Sequence, residues 1–592
     1  MRVRYPRTPH LPWSPGATAD DVRLVDLASF KGREVVVTEK LDGENTTLYS
    51  DGLHARSPDS AHHPSRAWVK ALHGRIRDRI PAGFRISGEN VHARHSIAYA
   101  DLESFFYAFS VWNGDDALSW DETVRFAADL GLPTPPVLFR GVFQENALRR
   151  LKIDPARQEG YVVRLASGFS RDDFTASVAK WVRRDHVQTD EHWMRGPFIE
   201  NERGPRAALW AARGGELVPA RTLLDLLPPT LARPPREADD TRLSAVHAGL
   251  DALGRFGDAR VEAAFAALLP DLPRGELMME LAVALGPRLA RRIADVAALA
   301  PKIASPEPEN PTPRGLRWMS LGADLGVAHA VARAAHASDA QAVDAIAWSE
   351  LLAEEHGLLA REPIGELRRA VRAEFAGIHA MADARIAEQC WAEARSGWVR
   401  GALVSAPEAI QATFRMRSAR RPRLTLFVGP SGSGKSSLAA HDPSDTRERP
   451  SVVIALDALR ESRGARADQS ENAAVLGEAL EKLHGALASG RDVIWDATSL
   501  IPQQRKLPES VAHRLGAQVW QVVFLTPRAL LGARNATRAH AVPVDVLDEQ
   551  IARCRPPFPG DADRLVYRAA AARDGAAEAT DSTGGLDDDA DQ

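Results

Sequence analysis

The sequence predicts a multidomain α/β and α protein. In chain order it should hold antiparallel strands with helices, a helical middle region, and an α/β domain on a parallel sheet. Three observations predict this. Glu34 to Thr38 is an apolar, β-branched run, and Gly43 permits a turn that returns Thr46 to Tyr49 alongside it. From about Arg221 to Phe414 the chain is dense in Ala, Leu and Arg with helical periodicity, as in Val261-Glu-Ala-Ala-Phe-Ala-Ala-Leu-Leu. Leu424 to Val428, a Gly-rich loop and Ser437-Leu-Ala-Ala then read strand, loop, helix. A chain of 592 residues should hold roughly three or four domains. The expected boundaries are 1–220, 221–414 and 415–572, followed by an acidic, apolar-poor tail at 573–592 that should be disordered.

The first element ends in Glu39-Lys40-Leu41-Asp42-Gly43-Glu44-Asn45. A lysine that closes a buried strand is a candidate nucleophile. Its ordinary pKa of about 10.4 keeps it protonated at neutral pH, so attack requires surroundings that favour the neutral amine. Further pieces follow in order: HARS at 54–57 with Arg56, SGENVHARHSIAY at 87–99 with Glu89, and the alternating aromatic strand FFYAFSVWNG at 105–114. EGYVVR at 159–164 brings Glu159, and VAKWVRRDHVQ at 178–188 brings Lys180.

Together these pieces resemble the covalent nucleotidyltransferases, the superfamily of ATP-dependent RNA and DNA ligases and mRNA capping enzymes. The resemblance implies an ATP-grasp-like antiparallel β domain in which Lys40 attacks the α-phosphorus of ATP. It places Glu39, Asp42, Arg56, Glu89, Glu159 and Lys180 around the nucleotide, Arg56 near the ribose or phosphate and Lys180 on the α-phosphate. Glu159 would help hold a divalent metal, Mg²⁺ or Mn²⁺. Phe109 is the candidate for stacking on adenine, with Tyr107 as the alternative. The compact domain and the absence of an OB-like strand series after Lys180 resemble RNA ligases most. One departure is that Trp181, Val182 and Arg183 follow Lys180, where many RNA ligases have Lys-x-Lys. Arg183 would offer the second cation, in a different geometry. His62-His63 reads as a loop pair rather than a metal site.

The helical region is split near 305–314 by the polar, Pro-rich stretch Ser305-Pro-Glu-Pro-Glu-Asn-Pro-Thr-Pro-Arg314. It is a scaffold between two enzymes, an RNA-gripping module, or both. His247, His329, His336 and His379 lack an adjacent His-Asp pair, which argues against a phosphodiesterase of the HD type. Arg415, Arg417, Arg420, Arg421 and Arg423 form a basic run, read either as a solvated linker or as a contact to backbone phosphates.

Gly429-Pro-Ser-Gly-Ser-Gly-Lys435-Ser436 is a phosphate-binding P-loop in the required strand–loop–helix context. Gly429, Gly432 and Gly434 let backbone amides face phosphates, Lys435 reaches the β and γ positions, Ser436 carries Mg²⁺, and Ser437 follows at the nucleotide. The strand Ser451 to Leu456 ends in Asp457-Ala-Leu-Arg460. Asp457 at the carboxyl edge of a parallel sheet is placed to accept a hydroxyl proton, with Arg460 on a substrate phosphate; the rival reading of Asp457 is a helix N-cap. Val493-Ile-Trp-Asp496-Ala-Thr498 ends another strand in a carboxylate and a hydroxyl. ARNATRAHAVPVDVLDEQ at 533–550 puts Arg534 and Arg538 four residues apart on one helical face. The combination resembles the 5′-OH polynucleotide kinase of the bacteriophage type, which implies that Arg538 is a lid arginine on the transferred phosphate.

The joint expectation is an ATP- and Mg²⁺-dependent RNA repair enzyme that phosphorylates 5′-OH ends and then seals them to 3′-OH ends, on broken RNA that includes tRNA among its plausible substrates. The alternative is a nucleotidyltransferase acting on something other than a nick, coupled to a small-molecule or regulatory P-loop domain. No Asp-x-Asp-x-Thr phosphatase box or metallophosphoesterase signature occurs, so a 2′,3′-cyclic phosphate would need a separate 3′-end healing enzyme or chemistry in the middle region. The net charge of −4 does not advertise nucleic-acid binding, though a local basic face can supply it. Two cysteines, Cys390 and Cys554, exclude a disulfide framework. Met1 is followed by Arg-Val-Arg-Tyr-Pro and no apolar run is long enough to cross a bilayer, so the expectation is a cytoplasmic protein without a membrane partner.

Overall fold

A computed structural model of the chain describes residues 2–58, 63–184, 198–231, 239–306, 311–440, 451–464, 471–538, 540–570 and 579–586. It divides into two compact units, Met1–Leu226 with Gly254–Val261, and Leu227–Leu253 with Glu262–Gln592.

The first unit is built on two antiparallel sheets. Its strands are β1 (Glu34–Lys40), β2 (Glu44–Tyr49), β3 (Gly52–His54), β4 (Phe84–Asn90), β5 (Phe106–Asn113), β6 (Asp116–Ala117), β7 (Val137–Val142), β8 (Gly160–Leu165), β9 (Phe169–Ser170) and β10 (Val178–Val182). They are ordered β10-β8-β1-β7 in one sheet and β3-β2-β4-β5-β6-β9 in the other. The β-branched run of β1 is central to the first sheet because both of its faces are covered. Val35 and Val37 pack with Phe30, Tyr161 and Val163, while Val36 packs with Trp120 and Ala166. The helix Ala67–Ile76 lays Val69, Leu72 and Ile76 on Leu48, Ile86 and Phe106 of the second sheet. The turn after Lys40 requires Gly43 for close approach, since a Cβ there would lie 2.5 Å from the Asn90 carbonyl oxygen.

The second unit holds one six-stranded sheet. Its strands are β11 (Arg423–Val428), β12 (Val452–Ala455), β13 (Val493–Asp496), β14 (Gln518–Leu525), β15 (Arg564–Ala569) and β16 (Ala579–Thr583), in the order β12-β13-β11-β14-β15-β16. All pairings are parallel except that of β16 with β15. The tail expected to be disordered therefore contributes an edge strand at 579–583. Its composition offers little to bury, but the backbone of β15 supplies a ladder, Arg564 Nε donates to Ser582 Oγ at 2.7 Å, and the Leu586 N–H reaches Glu388 at 3.0 Å.

Helices of the middle region share this unit, so the boundary expected at 414 falls inside it. The reason is specific bonding. Arg274, at the start of the helix Arg274–Leu285, donates to the carbonyls of Pro556 and Pro557 at 2.6 and 3.1 Å. Its Nε meets the buried Asp295, which also takes Arg291. The polar stretch separates the helix Pro287–Ile303 from Pro313–Ser320, with 307–310 outside the described residues. His329 is a core histidine, bonded to the Leu325 carbonyl and to Ser349 Oγ at 2.6 and 2.8 Å. Among the described residues no helix is long and apolar enough to cross a membrane.

Candidate active sites

The register of the first sheet gathers the nucleotidyltransferase candidates. Lys40 pairs with Gly160, so Glu159, one residue before β8, meets the lysine, and the Lys40 ammonium donates to Glu159 Oε2. Lys180 sits on β10 opposite Val162 of β8. Glu89, on β4 of the second sheet, accepts from the Gly43 N–H. Burial pulls the Lys40 pKa down, but the carboxylates of Glu159, Glu89 and Asp42 outweigh it and leave the amine above its ordinary value. This differs from the expectation that the surroundings favour a neutral amine: three acids converge where the strand pattern alone shows only an apolar run. Lys180 is shifted the other way, lowered by burial and by the Lys40 charge, with exposed Arg56 adding to the effect.

Glu89 is the most perturbed acid here. Burial pushes its carboxyl up to about 8, with Glu159 and Asp42 adding to the rise and Lys40 opposing it. Because the folded state holds this proton more tightly than the unfolded chain, stability falls as pH climbs from the ordinary glutamate value towards 8. Glu89→Gln should therefore raise the first unfolding temperature at pH 8, and the gain should vanish near pH 4.5. Melting curves that show the same difference at both pH values would contradict the burial argument.

Asp42 and Glu39 face neighbours rather than open space. Asp42 Oδ2 accepts from Ser96 N, Ser96 Oγ and Ile97 N at 2.8, 2.6 and 2.9 Å, so it pins the loop after Glu89. Glu39 accepts from Gln158 at 2.9 Å, and burial raises its carboxyl. Of the two aromatic candidates, Tyr107 is buried and its hydroxyl accepts from the Glu103 N–H at 2.8 Å. Phe109 is half-buried and is the extra residue of a bulge, since Ser87 pairs with Ser110 and Gly88 with Ala108. A bulge re-aims its side chain, which favours Phe109 as the stacking face.

Two further residues neighbour Phe109: Tyr5, which lies in none of the quoted pieces, and Arg164, which closes EGYVVR. Tyr5 packs edge-on against its ring at 5.2 Å, and burial raises the phenol pKa while Arg164 and Ser110 oppose this. Arg164 is buried, donates to the Phe109 carbonyl, and has an Nε without a hydrogen-bond partner among the described residues. Beyond Arg184, residues 185–197 lie outside the described residues, including the end of the 178–188 motif, as does His62.

In the second unit the P-loop leaves the carboxyl end of β11. Gly432 and Gly434 take φ values of 86° and 101°, which L side chains rarely adopt. The Gly429 N–H bonds the Thr498 carbonyl at 3.0 Å, and the Ser431 N–H bonds Gln550 Oε1 at 2.8 Å. Gln550 closes the 533–550 segment, and its bond to the loop is a contact that the sequence reading did not assign. Buried Lys435 folds onto its own loop, donating to the Gly429 and Pro430 carbonyls at 2.9 and 2.7 Å. Burial lowers its pKa to about 8; Asp496 opposes this most strongly, Arg538 adds to the fall, and Asp457 and Cys554 oppose it further. Ser436 and Ser437 are exposed at the start of the helix Lys435–Ala440.

Asp457 lies in the first turn of the helix Leu456–Arg463, whose N-cap position is Ala455. Arg460 donates to Asp457 at 2.6 Å and to Asn472 at 3.0 Å. Arg534 and Arg538 do not share a helical face. The helix Arg528–Ala536 ends before Arg538, because the Asn535 amide bonds both backbone groups of Val542 and turns the chain. Arg538 is left with a buried Nη1 that has no hydrogen-bond partner among the described residues, and its charge acts on Lys435.

Comparison with known proteins finds two family models along the chain. Residues 33–182 match the family model described as RNA ligase, and residues 424–557 match the one described as AAA domain. No curated protein matches the chain. Among solved structures, the Pnkp1/Rnl/Hen1 RNA repair complex is similar at 20% identity over 23% of this chain and 45% of that one, with a TM-score of 0.20. This chain therefore spans less than half of that relative. A gluconokinase from Sinorhizobium meliloti 1021 is similar at 22% identity over 26% of this chain and 86% of its own, with a TM-score of 0.21. The Mycobacterium tuberculosis APS kinase CysC in complex with AMPPNP and APS is similar at 27% identity over 20% and 70%, with a TM-score of 0.17. The chain thus combines an RNA ligase domain in its N-terminal part with an AAA domain that carries the P-loop in its C-terminal part.

Proposed function

We propose that the protein heals and seals broken RNA, phosphorylating 5′-OH ends with ATP and joining the resulting 5′-phosphate to a 3′-OH. The observation that carries the reading is the convergence of Lys40, Glu159, Glu89 and Lys180 at one end of the N-terminal sheets, in a chain that also holds a P-loop. In the first step the Lys40 ammonium gives one proton to solvent, its neutral Nζ bonds the α-phosphorus of ATP as the bond to pyrophosphate breaks, and the second proton that leaves the nitrogen passes to Glu159. Lys180, held near Lys40, offsets charge on the α-phosphoryl oxygens. AMP then moves from Lys40 to the RNA 5′-phosphate, and a 3′-OH displaces it to form the phosphodiester.

The residues fit a hard divalent cation, Mg²⁺ or Mn²⁺. Glu89 and Glu159 are acid oxygens whose mutual repulsion a cation would relieve. Among the described residues no group of three or more ligating side chains occurs, so substrate phosphates would complete the shell. When bound, such an ion offsets charge developing on phosphoryl oxygens. Ser436, at the start of the P-loop helix, is the corresponding hydroxyl in the kinase.

In the kinase, Asp457 accepts the proton of the 5′-hydroxyl as its oxygen bonds the γ-phosphorus and ADP leaves. Arg460 steadies the substrate, Lys435 and the loop amides hold the nucleotide, and Arg538 meets the transferred phosphate. Asp496 and Arg534 border the substrate side. A 2′,3′-cyclic phosphate would need a separate 3′-end healing enzyme or chemistry in the middle region, unless the substrate already has a 3′-OH, and the free, buried Cys390 and Cys554 suit a reducing cytoplasm. The direct test is joining of 5′-OH RNA strands with ATP and Mg²⁺; transfer of phosphate only to a metabolite, or of AMP only to a non-RNA acceptor, would sink the reading. Asp457→Asn should slow phosphorylation of a 5′-OH about 10²–10⁴-fold while ATP binding is kept. A near-normal rate would move the base assignment to Asp496.

A further inference from the structure

Residues 414–421 hold an exposed aromatic and unpaired arginines on a rigid support. Phe414 opens the 3₁₀ turn Phe414–Ser418 and is 71% exposed, an unusual state for so large an apolar side chain. Beside it a groove of about 570 Å³ is lined by Pro407, Ile410, Gln411, Phe414, Arg415 and Arg417, and no carboxylate lines it among the described residues.

The backbone beneath is fixed from below. Buried Gln389 donates from Nε2 to the Met416 and Ala419 carbonyls and accepts from the Arg421 N–H at 3.0 Å. Buried Thr413 Oγ1 donates to the Ala409 carbonyl at 2.7 Å. Arg417 donates to the Ile410 carbonyl, which sets its guanidinium 5.7 Å from the Phe414 ring centroid. Of the arginine run, Arg420 is consumed by Asp383 and Arg423 by Asp492. Arg415 and Arg421 have no carboxylate within ion-pair distance among the described residues.

We propose that this face is a docking platform for single-stranded nucleic acid, a base stacking on Phe414 and backbone phosphates meeting Arg415, Arg417 and Arg421. An aromatic stacking surface flanked by cations, with no acid in the groove, is complementary to a polyanion carrying flat bases and to little else. That the strand is RNA rests on the function proposed above. The platform lies at the amino end of β11 and the P-loop at its carboxyl end, so the length of that strand, about 17–20 Å, separates them. It would therefore grip the body of a strand, several nucleotides from the end that reacts.

The test is fluorescence anisotropy of the full chain with a labelled single-stranded oligoadenylate RNA, without ATP, alongside phosphorylation kinetics. Phe414→Ala should weaken binding roughly 5- to 100-fold, and Phe414→Trp should retain it. Arg415→Glu should weaken it too and reduce the salt slope by about one or more. In kinase assays Phe414→Ala should raise KM for a long 5′-OH oligonucleotide, leave kcat unchanged, and leave a dinucleotide substrate unaffected.

Binding by Phe414→Ala and Arg415→Glu equal to wild type would overturn the proposal. So would an equal loss on the dinucleotide, or a change of oligomeric state with RNA binding unchanged, which would mark the face as a protein interface. Because anisotropy needs no phosphate transfer, weakened binding in a protein that never phosphorylates RNA would keep the platform and remove the kinase reading. Unaltered binding in an active kinase would do the reverse.

Discussion

Lys40→Ala is expected to abolish covalent labelling by α-labelled ATP, whereas wild-type protein should carry an acid-stable, phosphoamide-linked adenylate. Lys180 lies on β10, where the charges of both Lys40 and Glu159 act on it, but the ion pair with Glu159 is made by Lys40. The environment adds a pH signature. Glu159, Glu89 and Asp42 hold the Lys40 ammonium above its ordinary pKa, so only a small neutral fraction exists at neutral pH and adenylylation should accelerate as pH rises. Glu159→Gln removes the hydrogen-bonded partner; its labelling should be weaker, with the pH profile displaced to lower pH. Mass spectrometry of the labelled peptide fixes the site. A label that persists in Lys40→Ala, or that maps to Lys180, would remove Lys40 as the nucleophile.

The positions of Lys40 and Glu159 at strand ends and of the P-loop after β11 were legible because each depends on a short segment whose local pattern also sets its place in the fold. An apolar run makes the strand, a glycine makes the turn, and the candidate side chain stands near the junction. What the pattern could not show is the sum of charges from different strands. The acids that reverse the expected shift of Lys40 are brought together by the pairing of β1 with β8 and of β2 with β4. Tyr5 lies in no quoted piece, and although Arg164 and Gln550 close EGYVVR and the 533–550 segment, their contacts with Phe109 and Ser431 join distant segments that a local pattern does not pair. Arg534 and Arg538 were read at helical spacing, and that spacing failed where Asn535 preferred to bond Val542 rather than continue the helix. The tail strand failed the composition argument because an edge strand needs a backbone partner more than an apolar side chain.

Lys435→Ala should lose the kinase step and still seal strands supplied with a 5′-phosphate, while Lys40→Ala should phosphorylate 5′-OH ends normally and never join them. The two lysines lie in different compact units, and each answers to its own acids, Glu159 and Glu89 for Lys40, Asp496 and Asp457 for Lys435. In Lys435→Ala the buried loop carbonyls of Gly429 and Pro430 lose their donor as well as the phosphates losing their cation, so the fall in phosphorylation should exceed about 10²-fold. Circular dichroism of each variant guards against a folding artefact. Mixing the two variants should restore joining of 5′-OH RNA, because the phosphorylated strand released by one protein is the substrate of the other. If joining in the mixture needs the intermediate to pass directly between sites, it will stay low at every concentration of added protein. Loss of both activities in both folded variants would replace two separable sites with one composite site.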